Sequence, residues 1–144
     1  MTSHDFEVAI EERSACIRIG PAILERVKAM KTVDRVVTVL ILLLGTIHAG
    51  LAPVFRGRSD VAGMWFLSGG LMLIFLGLLN LVRTGSPAAA ARWAALGANI
   101  LALAFVLGLV PLVSLSQNPQ VTISILLIAA AMLFSLLRRE TPTV

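Results

Sequence analysis

Four long apolar runs dominate this chain and leave little choice of fold. They cover residues 36–54, 61–82, 93–115 and 121–137, and none contains Asp, Glu, Lys or Arg. Crossing a bilayer as a helix takes about 17–25 apolar residues, and the runs hold 19, 22, 23 and 17. In hydrocarbon every backbone N–H and C=O needs a partner within its own segment, which a helix supplies. Barrel strands would alternate apolar and polar residues, and these runs do not. The expected fold is therefore all-α: an integral membrane four-helix bundle.

Composition agrees. The chain is 58% hydrophobic and 14% charged, against about 45–50% and about 25% in soluble domains. An ordinary soluble protein and a disordered chain are both excluded. At 144 residues the chain has room for one domain. A single cysteine, Cys16, rules out an internal disulfide, a CxxC pair and a four-thiolate metal site.

Positive charge predicts the orientation. Arg13, Arg18, Arg26, Lys28, Lys31 and Arg35 precede the first run, Arg83 and Arg92 lie between the second and third, and Arg138 and Arg139 follow the fourth. The opposite side has only Arg56 and Arg58. Ten cations against two place both termini in the cytoplasm, and an even number of spans agrees. The loops, near residues 55–60, 83–92 and 116–120, are short and carry Gly57, Gly85, Pro87 and Pro119. Short connections make sequential helices antiparallel neighbours, so the bundle is up-down-up-down. Trp65 and Trp93 lie near run ends, where interfacial anchors sit. Thirty-five residues, six of them acidic, precede the first run. That is unlike a signal peptide, and the first span is read as retained. The domains are thus a cytoplasmic arm (1–35), a four-span domain (36–137) and a cytoplasmic tail (138–144).

The arm sorts its charge. Asp5, Glu7, Glu11 and Glu12 come first, and residues 13–31 then carry five basic residues against Glu25. Ser3 is placed to cap a helix with acids in its first turn. Gly20-Pro21 is expected to end that helix and open a second, with Ile23, Leu24, Val27 and Met30 as its apolar stripe. Two readings fit: an amphipathic helix on anionic lipid or against a partner, and a flank whose charges only set topology. The sequence pI of about 10.6 follows from the positive-inside pattern, and no aromatics interleave the basic residues as nucleic-acid binding needs.

Polar side chains inside a span are costly and mark candidate sites. His48 is the one histidine within a run and lies six residues, about 9 Å, from the run's outer end. Gly45, Ala49 and Ala52 share its face and suit a close neighbouring helix. Ser68 in the second run reaches similar depth. Pro111 in the third removes a backbone donor from the carbonyl of Leu107. His48, Ser68 and the Pro111 kink, with Thr122 and Ser124 just above, make up the candidate ligand-binding site. The bland reading is that His48 bonds Ser68 or the freed carbonyl and only fixes packing. Asn80 and Asn99 are candidates for an interhelical hydrogen bond if two run ends slip by a turn. Such bonds contribute on the order of 0.6 kcal/mol. Gly63, Gly70 and Gly77 recur every seven residues, and Ala94, Ala98 and Ala102 form a small stripe. Both suit helix contacts, within one bundle or between copies.

Several chemistries lack their residues. A bis-histidine haem needs paired histidines in the spans, a proton-coupled exporter needs an embedded carboxylate, and a quinone-linked disulfide enzyme needs several cysteines. No GxSxG, HExxH, P-loop or Rossmann pattern occurs. No catalytic residue, metal or cofactor is assigned, and a non-enzymatic role is favoured.

Residues 44–53 (LGTIHAGLAP), with WFLSGGL at 65–71 and GLLNL at 77–81, resemble the loose DoxX-like grouping of small four-helix bacterial inner-membrane proteins. The resemblance implies an inner-membrane location and an accessory role linked to redox or stress. The expected function is an accessory or assembly subunit, or a binder of a lipid or small amphiphile. The alternative is a small oligomeric transporter or channel with His48 in its pathway. Expected partners are the lipid bilayer and a membrane protein or further copies of the chain.

A single cysteine introduced in the tail, in a Cys16→Ser background, tests the orientation. An impermeant thiol reagent should label it only after the cells are permeabilised; labelling in intact cells would reverse it.

Overall fold

The computed structural model describes residues 3–56, 60–112 and 118–137, with side chains for 23–54 and for the second and third stretches. Four α-helices follow in order: α1 (Ser3–Arg56), α2 (Asp60–Gly85), α3 (Ala89–Leu109) and α4 (Pro119–Leu137), with a 3-10 turn, Val110–Leu112, after α3. Four segments are long and apolar enough to cross a membrane: Ile23–Val54, Asp60–Gly85, Ala89–Leu112 and Pro119–Leu137. No strand occurs among the described residues.

The chain divides into two units, residues 1–33 and 34–144. The first is helical from Ser3 onward, across Gly20-Pro21. The break expected there does not occur: a proline removes one helical hydrogen bond, and good helix formers (Ala22, Leu24, Glu25, Arg26) follow it.

In the second unit, α1 packs on α2 through glycines. A Cβ at Gly45 would lie 2.8 Å from the Ile74 nitrogen and 2.9 Å from the Gly70 carbonyl oxygen. One at Gly70 would lie 2.7 Å from the Ala49 Cα, and one at Gly77 would lie 2.6 Å from the Leu42 Cγ. Partners of lower number on α1 meet partners of higher number on α2, so the two helices run antiparallel. Gly70 and Gly77 are thus spent within one chain, on α1. Small residues let backbones approach closely, and where side chains meet neither water nor an apolar contrast, packing is what holds helices together.

The core is assembled from Val37 and Ile41 on α1, Leu73 and Leu76 on α2, Ala102 and Val106 on α3, and Ile128 and Ala131 on α4. The buried face of α3 is Ala95, Asn99, Ala102 and Val106. Of the expected stripe Ala94–Ala98–Ala102, Ala102 is in the core and Ala98 packs against it, whereas Ala94 is exposed. Large apolar side chains including Leu43, Phe75, Leu101 and Leu126 stay exposed. That surface is far more apolar than soluble monomers present and suits a bundle dissolved in lipid. Both tryptophans are exposed, and the Arg92 guanidinium lies 5.1 Å from the Trp93 ring centroid.

Gly70→Leu drives a branched side chain into the α1 backbone. Overpacking of a filled contact typically costs about 1–3 kcal/mol, and the detergent-solubilised protein should unfold at lower temperature. Gly97→Ala, which meets open space, should leave that temperature unchanged.

Candidate functional site

Apart from Ser124 near the start of α4, the buried polar side chains among the described residues gather in one layer, near the end where α2 passes into α3. Arg83, in the last turn of α2, is 1% exposed. Its guanidinium reaches across to Asp34 on α1 in a two-pronged ion pair. Nη1 donates to Oδ2 at 3.0 Å and Nη2 to Oδ1 at 2.5 Å. Its Nε donates to the Asn80 Oδ1 one turn earlier, at 3.1 Å. Asn80 and Asn99 then exchange hydrogen bonds: the Asn80 amide donates to Asn99 Oδ1 at 2.9 Å, and the Asn99 amide returns one at 3.1 Å. The second proton of Asn80 goes to the Leu76 carbonyl, and that of Asn99 to the Ser135 hydroxyl on α4 at 3.5 Å. Ser135 in turn donates to the Ala131 carbonyl, and Thr38 to the Asp34 carbonyl.

This layer joins all four helices, and no buried side-chain nitrogen or oxygen among the described residues lacks a partner. Such completeness has a physical cause. An unpaired buried polar group costs about 1–3 kcal/mol, and a charged one more. Asn80 lies five residues before Gly85 and Asn99 ten after Ala89, so the amides meet because the ends of α2 and α3 are offset by about a turn.

Asp34 and Arg83 are absent from the sequence-derived candidates. Both flank apolar runs and drop out of any window that excludes charge, and Arg83 counts there as a loop cation. The structure places it in α2 instead, with its charge spent on Asp34. The signal available in sequence is depth. Asp34 lies two residues before the first run and Arg83 one after the second, so an acid and a base share one level on neighbouring antiparallel helices.

The predicted site residues lie apart from this layer. His48 on α1 is half-buried. Its ring stacks on Phe66 of α2, with centroids 4.3 Å apart and planes 13° from parallel. A Cβ at Gly69 would fall 3.2 Å from its Nε2, so the ring edge lies against bare backbone. Ser68 is exposed and donates to the Trp65 carbonyl at 3.0 Å. It lines a groove of about 400 Å³ with Asp60, Val61, Met64 and Trp65. Pro111 is exposed, inside the 3-10 turn. The Leu107 carbonyl that it would orphan accepts the Val110 N–H instead. Thr122 is exposed, and Ser124 is buried with its hydroxyl on the Gln120 carbonyl at 2.7 Å. Among the described residues no hydrogen bond or ring contact joins His48 to Ser68, Pro111, Thr122 or Ser124. Nor does any group of three or more His, Cys, Asp or Glu there have the geometry to hold a metal.

No family model, curated protein or solved structure matches this chain.

Removing one member of the buried ion pair strands the other charge, which costs roughly 3–5 kcal/mol. Arg83→Leu and Asp34→Leu should each lower the unfolding temperature in detergent sharply. The double variant, with no charge left to strand, should recover much of the loss in a double-mutant cycle.

Proposed function

We propose that this chain is a multi-pass protein of a bacterial inner membrane with both termini in the cytoplasm, and that it binds a lipid or another small amphiphile rather than catalysing a reaction. The observation that carries the reading is His48. Its ring nitrogens have no hydrogen-bond partner among the described residues, whereas the polar layer at the far end of the bundle is closed on itself. No buried side-chain nitrogen among the described residues lacks a partner, so the nitrogens of this half-buried ring open to the bundle surface, and facing hydrocarbon there an imidazole N–H without a partner is costly. It is relieved by a molecule that brings a polar group on an apolar body: an ester or other carbonyl beside a hydrocarbon chain.

The setting suits that role. Phe66 and Gly69 hold the ring in one orientation, and Ile47 and Leu51, flanking it on α1, are exposed apolar side chains. The occupant is an amphiphile drawn from the bilayer, and an accessory role in delivering or retaining such a molecule follows from it. A transport pathway lined by His48 has less support, because the ring's neighbours are an aromatic face and a glycine rather than a file of polar groups. The DoxX-like likeness around His48 and Gly69-Gly70 agrees with the membrane location.

Native mass spectrometry of mildly solubilised protein tests this. Wild type should retain an amphiphile that His48→Phe loses, while His48→Gln, which keeps an N–H donor, retains it in part. Both variants should unfold near the wild-type temperature. Equal occupancy in wild type and His48→Phe would overturn the proposal.

A further inference from the structure

Two prolines lie inside the apolar runs, Pro53 in the first and Pro111 in the third. Each lacks the N–H that would meet the carbonyl four residues earlier. At Pro111 the backbone tightens, and the Leu107 carbonyl accepts the Val110 N–H. At Pro53 there is no such tightening. There α1 stays α-helical as far as Arg56, so the Ala49 carbonyl is left without its helical donor.

A carbonyl freed within a span is met by a Ser or Thr hydroxyl, a neighbouring helix, a local change of turn, or water. Thr46, on the preceding turn, donates its hydroxyl to the Leu42 carbonyl at 2.8 Å. The α2 residue packed on Ala49 is Gly70, which has no side chain to donate. No other side-chain donor among the described residues bonds Ala49. The donor therefore comes from the surroundings of the bundle.

The surface is open to it. Thr46, Gly50 and Pro53, spaced by four and three, share one face of α1, and all three are exposed. A Cβ at Gly50 would meet nothing within 4 Å, so the peptide joining Ala49 to Gly50 is bare on that side. Leu43 and Val54 beside it are exposed apolar side chains. Ala49 lies five residues inside the end of its run, about 7.5 Å, where a charged donor is costly. His48 is two positions from Thr46 and so nearly opposite on the helix; this face is separate from the one the ring occupies.

We propose that the Thr46–Gly50–Pro53 face binds an uncharged lipid alcohol, whose O–H donates to the Ala49 carbonyl. The ligand class is a single free hydroxyl on an apolar body, as in a diacylglycerol. Gly50 admits the hydroxyl, and the exposed aliphatic side chains take the hydrocarbon. Water brought to this depth gives up its own hydrogen bonds, whereas a lipid alcohol already resides there. The proposal rests on the membrane location and not on His48.

Full-length protein in phosphatidylcholine nanodiscs, with equal minor shares of a diacylglycerol and its O-methyl ether, tests this by mass spectrometry of the lipid retained after mild extraction. The ether lacks only the O–H. One hydrogen bond is worth roughly a fivefold preference, and wild type should retain the diacylglycerol over the ether by that factor. Pro53→Ala restores an N–H to the Ala49 carbonyl and should abolish the preference without lowering the unfolding temperature. Gly50→Leu, which covers the bare peptide, should abolish it too, whereas His48→Phe should keep it. Equal retention of both lipids by disc-incorporated wild type would overturn this proposal alone and leave the carbonyl to water. A preference that survives Pro53→Ala, or that His48→Phe removes, would overturn it as well.

Discussion

The ion pair between Asp34 and Arg83 is the constraint on which the bundle rests. A carboxylate and a guanidinium withdrawn from water are tolerable only when each satisfies the other with good geometry, and here both prongs of the guanidinium fork are used. The pair fixes α1 against α2 at one level. Arg83 also holds the Asn80 oxygen, Asn80 pairs with Asn99, and Asn99 reaches Ser135. The register of α1 to α2 is thus passed to α3 and α4. The glycine contacts set how closely α1 and α2 approach; the polar layer sets how far each helix may slide.

The two ends of the bundle treat polarity in opposite ways. Near the α2–α3 end the buried polar side chains among the described residues satisfy one another, so that layer has nothing left to offer a ligand. Towards the other end the His48 ring stacks on Phe66, and among the described residues no hydrogen bond holds it. The ligand site proposed for this chain is placed on that ring.

Much of this was legible in the amino-acid order. Apolar runs without charge locate four helices, because lipid permits little else. Gly70 and Gly77, seven apart, share the α2 face that meets α1. Asn80 and Asn99 stand out as the amides in the spans, and the turn of slip that their pairing requires is the one observed. Other features are not local to any one run. A window that demands no charge trims away Asp34 and Arg83, so this buried ion pair falls outside every apolar run. The carbonyl of Leu107 looked orphaned because helical bookkeeping assumes an α-turn. The chain tightens to a 3-10 turn and supplies the Val110 N–H instead.

By itself the sequence determined that this chain makes helices fit for lipid, how many, and which side chains are too polar to lie idle there. Those properties are local: they depend on runs of neighbouring residues and on the cost of an unpaired backbone in hydrocarbon. Only the tertiary structure decided which polar groups meet. Such meetings depend on the offset and rotation of whole helices, and a shift of one turn exchanges every partner. Ser68 and His48 have similar depth and yet do not bond, whereas Asp34 and Arg83, 49 residues apart in the chain, do.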